Sequence, residues 1–180
     1  MDNGESSYRR YLSGDESAFH DIVKEYFDPL VWFLHRYVRD MATAEDLALD
    51  AFAQLVADKR RYNFSVSLKT YLFMLGRSRA LDYLRHQRKI PMLPLTDAEE
   101  EAGPDPEDLL LADERKRALH AAIGRLHPEV RLAVHLVYFE DLTPAEAARV
   151  LRKTRKQVYN LLYRGKTALR AMLGEEEQVL

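Results

Sequence analysis

Residues 143–169 read T-P-A-E-A-A-R-V-L-R-K-T-R-K-Q-V-Y-N-L-L-Y-R-G-K-T-A-L, and two helix starts lie within them. Thr143 precedes Pro144 and stands three residues before Glu146, which is a capping box with a proline at the first helical position. Ala147, Ala148 and Leu151 give that helix a small, flat inner face. Arg152 and Lys153 make a tight turn, and Thr154 with Gln157 repeats the capping pattern. Val158, Leu161, Leu162 and Leu169 recur at helical spacing and define an inward side. The outward side then carries Arg155, Lys156, Tyr159, Asn160, Tyr163, Arg164 and Lys166. The spacing therefore predicts a helix-turn-helix whose second helix is apolar inside and basic outside. Such a face suits a DNA major groove: Arg and Lys reach guanine edges or phosphates, and Asn pairs with adenine.

Charge supports this reading although the net charge is only −2. Between Leu142 and Leu173 the bases are Arg149, Arg152, Lys153, Arg155, Lys156, Arg164, Lys166 and Arg170, against the single acid Glu146. A merely solvated face seldom carries so one-sided a set. Thr96 to Asp108 holds seven acids and no base, while Arg77, Arg79, Arg85, Arg88 and Lys89 form another basic cluster. A near-neutral total thus conceals two basic surfaces joined by an acidic strap.

Upstream, the pattern is also helical, and no strand alternation or internal repeat stands out. Phe19, Ile22, Val23, Tyr26, Phe27, Leu30, Leu34, Tyr37 and Val38 mark one helix face. Ser13 and Glu16 are placed to cap it, and Pro29 should kink or split it. Thr43 is expected to cap a second helix, buried through Leu47, Ala51, Phe52, Leu55 and Val56. A third should run from about Leu68 to Arg88 after a loop at 59–67. In that loop and helix, aromatics interleave with bases and hydroxyls: Arg60, Arg61, Tyr62, Asn63, Phe64, Ser65 and Ser67, then Lys69 and Tyr71. Such a set can stack and hydrogen-bond single-stranded bases, although Tyr and Phe at these steps are more often core. Pro91, Pro94, Gly103 and Pro104 interrupt residues 90–105, which read as an extended acidic linker. Asp105 and Pro106 are positioned as N-cap and first residue of a further helix reaching about Arg125, and Pro128 starts the next. Residues 175–180 read as a frayed tail.

The expectation is an all-α chain with two small helical domains, residues 1–89 and 106–174, and no enzyme chemistry. It has no cysteine, and its six histidines are scattered without metal-ligand spacing. No glycine-rich phosphate loop or nucleophile elbow is found, so no catalytic residue, metal or cofactor is expected. Met1 to Ser17 lacks an apolar signal region, and no run of about 18 apolar residues occurs, so a cytoplasmic protein without membrane insertion is expected.

Taken in order, these segments resemble the extracytoplasmic-function group of bacterial sigma factors. T-A-E-D-L-A-L-D-A-F, residues 43–52, is similar to the helix with which the family grips the clamp of the largest polymerase subunit. The resemblance gives that role to Glu45, Asp46, Leu47, Asp50 and Gln54, with Leu49 in place of the usual glutamine. L-K-T-Y-L-F-M-L-G-R-S-R-A-L-D-Y-L-R, residues 68–85, is similar to the helix that reads and melts the −10 element. It implies DNA contacts for Arg61, Tyr62, Asn63, Phe64, Ser65, Ser67, Lys69, Tyr71, Arg77 and Arg85, with the loop as pocket for a flipped base. Leu126, Pro128, Glu129, Arg131 and the helix-turn-helix resemble the −35-reading part, with Arg152 replacing a usual turn glycine and Leu161 a usual arginine. That assigns −35 contacts to Arg152, Thr154, Arg155, Lys156, Gln157, Tyr159, Asn160, Tyr163, Arg164 and Lys166. The partners implied are core RNA polymerase, through its clamp and flap, promoter DNA, and an anti-sigma factor. A polymerase-independent helix-turn-helix regulator is the rival reading. It accounts for 143–169 but not for the two upstream segments. A purely protein-binding helical adaptor is a third.

Overall fold

Short polar side chains fix where the helices begin. The computed structural model describes residues 4–89 and 114–174, and every regular element among them is helical. The expected linker, the helix start at Asp105 and Pro106, and the tail lie outside the described residues.

The first half has four helices where the hydrophobic pattern predicts three: α1 (Glu5–Leu12), α2 (Glu16–Val38), α3 (Met41–Ala57) and α4 (Leu68–Lys89). The pattern misses α1 because only Tyr8 of it is buried. Ser13 does not cap α2; its hydroxyl donates to the Arg10 carbonyl at the end of α1 (2.7 Å). Asp15 is the α2 cap and accepts from the Ser17 N–H (3.1 Å). Pro29 lies inside α2 without splitting it. The α3 cap is Asp40, which accepts from both the N–H (2.8 Å) and the hydroxyl (2.6 Å) of Thr43, so Thr43 sits inside the first turn. Asp40 supersedes Thr43 because an ionised carboxylate is the stronger acceptor. The Ser67 hydroxyl accepts from the Thr70 N–H (3.2 Å) and caps α4.

Helix α2 packs against α3 and α4 through Ile22, Leu30, Phe33 and Leu34, meeting Leu55, Leu72 and Phe73 in the core. Gly76 permits the close α2–α4 approach, since a Cβ there would fall 2.8 Å from Leu30 Cδ1.

The second half comprises α5 (Glu114–Gly124), α6 (Pro128–Val134) continuing as a π-helical turn (His135–Phe139), α7 (Pro144–Leu151) and α8 (Arg155–Leu173). The last two have the bounds that their caps predict. Arg131 ties the α5–α6 turn by donating to the Gly124 carbonyl (2.8 Å). Gly165 seats α8 on α6, where an added Cβ would meet Val134 at 2.9 Å and Val130 at 3.0 Å. Helix α4 of the first half lies against α7 of the second, and one buried apolar cluster runs through both.

Candidate nucleic-acid and polymerase interface

The helix-turn-helix is built from its caps outward. Thr143 and Glu146 form the full capping box: the Glu146 carboxylate accepts from the Thr143 N–H (2.9 Å), and the Thr143 hydroxyl accepts from the Glu146 N–H (3.3 Å). Thr154 and Gln157 repeat it at the start of α8 (2.8 and 3.2 Å). Both side chains, given DNA contacts by the resemblance, are thus engaged in capping. Between the boxes Arg152 takes a left-handed conformation, φ 52°, a region that costs a non-glycine residue about 1–2 kcal/mol. Lys153 is held at 2.8 Å from the Glu129 carboxylate on α6, which keeps that carboxyl below its usual range.

On α8, Val158, Leu161, Leu162, Gly165 and Leu169 are buried. Arg155, Lys156, Tyr159, Asn160, Tyr163 and Arg164 are exposed on the opposite side, and Lys166 is half-buried at its edge. Tyr163 is 73% exposed and Tyr159 54%. Two aromatic rings left in water beside three cations have the character of a docking face. Leu161 is core, which accounts for an apolar residue where the resembling family has arginine.

On α3, Leu47 is buried in the core, whereas Glu45, Asp46, Leu49 and Asp50 face solvent. Leu49, 57% exposed, sits amid those acids and is the side chain that residue-type matching passes over. Its exposure follows from spacing, two residues from the buried Leu47 on the far side of the helix. Gln54 is half-buried and accepts from Arg79 of α4 (3.0 Å).

The loop before α4 divides its residues. Tyr62 is 3% exposed, its hydroxyl donates to the Val66 carbonyl (2.7 Å), and burial pushes its phenol far up. Its ring packs among Tyr8, Phe64 and Tyr71. Phe64 is half-buried with φ 60°, and the Arg9 guanidinium lies 3.9 Å above its ring centroid. Tyr8, fully buried, donates to the Lys59 carbonyl (3.0 Å) and anchors the loop to α1; burial raises its phenol to about 12. Against this aromatic floor, Asn63 and Ser65 face outward, in an Asx turn where Asn63 Oδ1 accepts from the Ser65 N–H (3.1 Å). Arg61 is exposed near Asp58 (3.6 Å). Ser67 is buried, Lys69 and Tyr71 are half-buried, and Arg77 lies beside Tyr37, whose phenol burial raises to about 12. Arg85 is exposed and paired with Asp82 (2.6 Å).

Residues 22–90 match the Sigma-70 region 2 family and residues 116–169 match Sigma-70, region 4. The RNA polymerase sigma factor CarQ of Myxococcus xanthus is 30% identical over 171 residues, 93% of this chain and 96% of CarQ. The chain belongs to the extracytoplasmic-function sigma factors. The factor SigW of Bacillus subtilis is 25% identical over 93% of this chain and 95% of its own length. The fold agrees with the sigma factor RpoE of Bartonella quintana, solved in complex with the anti-sigma factor NepR (TM-score 0.65, 17% identity, 88% of this chain and 98% of that one). It also agrees with CnrH, solved with the cytosolic domain of CnrY (TM-score 0.67, 19% identity, 98% and 100% covered). As a sigma factor, the chain directs RNA polymerase to promoters. Among the described residues no helix is long and apolar enough to cross a membrane.

Proposed function

We propose a division of labour between the two halves of this sigma factor. Residues 1–89 hold core polymerase and open the −10 element, residues 106–174 read the −35 element, and residues 90–105 join them. The acids of that joining segment suit a basic channel inside the polymerase. The observation that carries this reading is that one chain presents an acidic helix face and a basic-aromatic helix face. Glu45, Asp46, Leu49 and Asp50 of α3 would meet the polymerase clamp. Arg155, Lys156, Asn160 and Arg164 of α8 would meet duplex DNA, with Tyr159 and Tyr163 adding apolar contact. Asn63 and Ser65 stand over the aromatic floor as the groups that would hold an extruded base, a step that costs a few kcal/mol and needs a pocket to offset it. The chemistry of RNA synthesis belongs to the polymerase, the sigma factor acts in the cytoplasm beside it, and an anti-sigma protein restrains it, as NepR accompanies RpoE.

The test is co-purification with core polymerase. Asp46→Arg with Asp50→Arg should abolish binding while far-UV circular dichroism stays unchanged. Undiminished co-purification would remove α3 from the polymerase contact. A symmetric footprint on DNA without polymerase would favour the free-standing regulator instead.

A further inference from the structure

The first turn of α4, inside the surface assigned above to the −10 element, is covered by the second domain. Lys69 Nζ donates to the Glu140 carbonyl oxygen (2.7 Å) and lies 2.9 Å from its carboxylate, so both ends of one residue hold it. The other carboxylate oxygen of Glu140 meets His135 Nε2 at 3.2 Å. This is not a surface ion pair: the Glu140 side chain is 7% exposed, His135 3% and Lys69 22%. In the same turn, the Thr70 hydroxyl donates to Glu146 Oε1 (3.3 Å), with Ser67 Oγ 3.2 Å from the same oxygen. Glu146 therefore has two tasks. Its Oε2 closes the capping box of α7, and its Oε1 reaches into the first domain. Phe33 of α2 stacks on His135, with ring centroids 6.2 Å apart and planes 10° from parallel.

Closure conflicts with the length of a promoter. The −10 and −35 elements are separated by roughly 25 base pairs, about 85 Å of duplex at ~3.4 Å per pair. A compact chain of this size has a diameter of only ~40 Å. The halves must part to occupy both elements, and the 16 joining residues 90–105, at ~3.4 Å each, allow up to about 55 Å between them in addition to the breadth of the halves.

We propose that Ser67, Lys69 and Thr70 at the start of α4, with Glu140 and Glu146 of the second domain, form a polar latch that keeps the free sigma factor closed, with Ser67 and Lys69 of its −10 surface covered. The inference rests on the assignment of that surface to DNA. A polar latch suits a switch: buried ion pairs come close to break-even against hydration, so water can replace each partner when the halves separate. Engagement of polymerase and DNA then has a small opening cost to overcome.

The experiment needs no DNA, so it can fail independently of the promoter assignment. The chain has no cysteine; Glu25→Cys and Met172→Cys, both exposed in α2 and α8, accept a donor–acceptor dye pair. Single-molecule energy transfer on the full chain then reports closure. Glu140→Gln and Lys69→Met attack the same contact from opposite domains. Each should raise the open-to-closed ratio roughly tenfold, the loss of one charge-assisted hydrogen bond, while thermal unfolding remains cooperative. An unchanged distribution in both, or opening in Glu140→Gln alone, would overturn the latch, the latter marking a defect inside the second domain.

Discussion

The helix-turn-helix and the loop at 59–67 are the two surfaces that meet DNA in this account, and they are built on opposite plans. The first is specified locally. Two capping boxes set its helix starts, a three-four spacing sets its inner face, and what remains points outward. The second is specified at a distance. Its aromatic floor exists because Tyr8 of α1 reaches the Lys59 carbonyl and because Arg9 covers Phe64. A recognition helix can therefore be altered one side chain at a time, whereas the loop stands or falls with a helix some fifty residues away.

That contrast predicts very unequal responses to substitution. Tyr8→Ala empties a fully buried aromatic site and should cost about 3–5 kcal/mol in urea unfolding. Tyr8→Phe keeps the ring, loses the bond to Lys59 and should cost about 1–1.5 kcal/mol. A Tyr8→Ala change that leaves stability intact would show the loop to be self-supporting. On α8, by contrast, Arg155→Ala or Lys156→Ala should leave unfolding within about 0.5 kcal/mol of the parent. Each should cost about 1–3 kcal/mol in promoter binding and relax preference at one −35 position. Arg164→Ala should instead weaken all sequences alike and flatten the salt dependence, as a phosphate contact does. Competition binding across single-base promoter variants separates the two classes.

How far the sequence was legible follows the same divide. The bounds of α7 and α8 were readable because Thr143, Glu146, Thr154 and Gln157 act within one turn of themselves. The start of α3 was misplaced because Thr43 and Asp40 both qualify as caps, and only geometry shows the carboxylate taking both Thr43 donors. Helix α1 escaped the pattern because one buried residue in eight makes no periodicity. At the interface, residue type alone did not separate Tyr62 from Asn63. Burial does, setting Tyr62 into the floor and Asn63 above it. The contact between α4 and α7 joins Thr70 to Glu146, 76 positions apart, and no local signal encodes it.

Smaller effects sharpen the contrast within the helix-turn-helix itself. Thr154→Ala removes one cap and should cost about 1 kcal/mol of stability. Arg152→Gly should relieve the left-handed strain and gain up to about 1 kcal/mol, partly offset by the greater freedom of the unfolded glycine. The smallest effect is on pH. Burial opposes the Glu146 charge, yet Thr143, Ser67 and Thr70 hold its carboxyl below the ordinary value. Its contribution to stability is therefore complete above the ordinary glutamate value and is lost as pH falls through the lowered one. Glu146→Gln should flatten the acid limb of the unfolding midpoint against pH, and an unchanged limb would show that Glu146 keeps an ordinary carboxyl.

The central claim is that one chain both recruits polymerase through α3 and selects promoters through α8 and the loop. Run-off transcription with core polymerase over a library of genomic promoter fragments measures it most directly. The account predicts discrete start sites that appear only when the chain is added, vanish with Asp46→Arg and Asp50→Arg, and shift in −35 preference with Arg155→Ala. Start sites indifferent to the chain, with DNA protected equally well in the absence of polymerase, would contradict it.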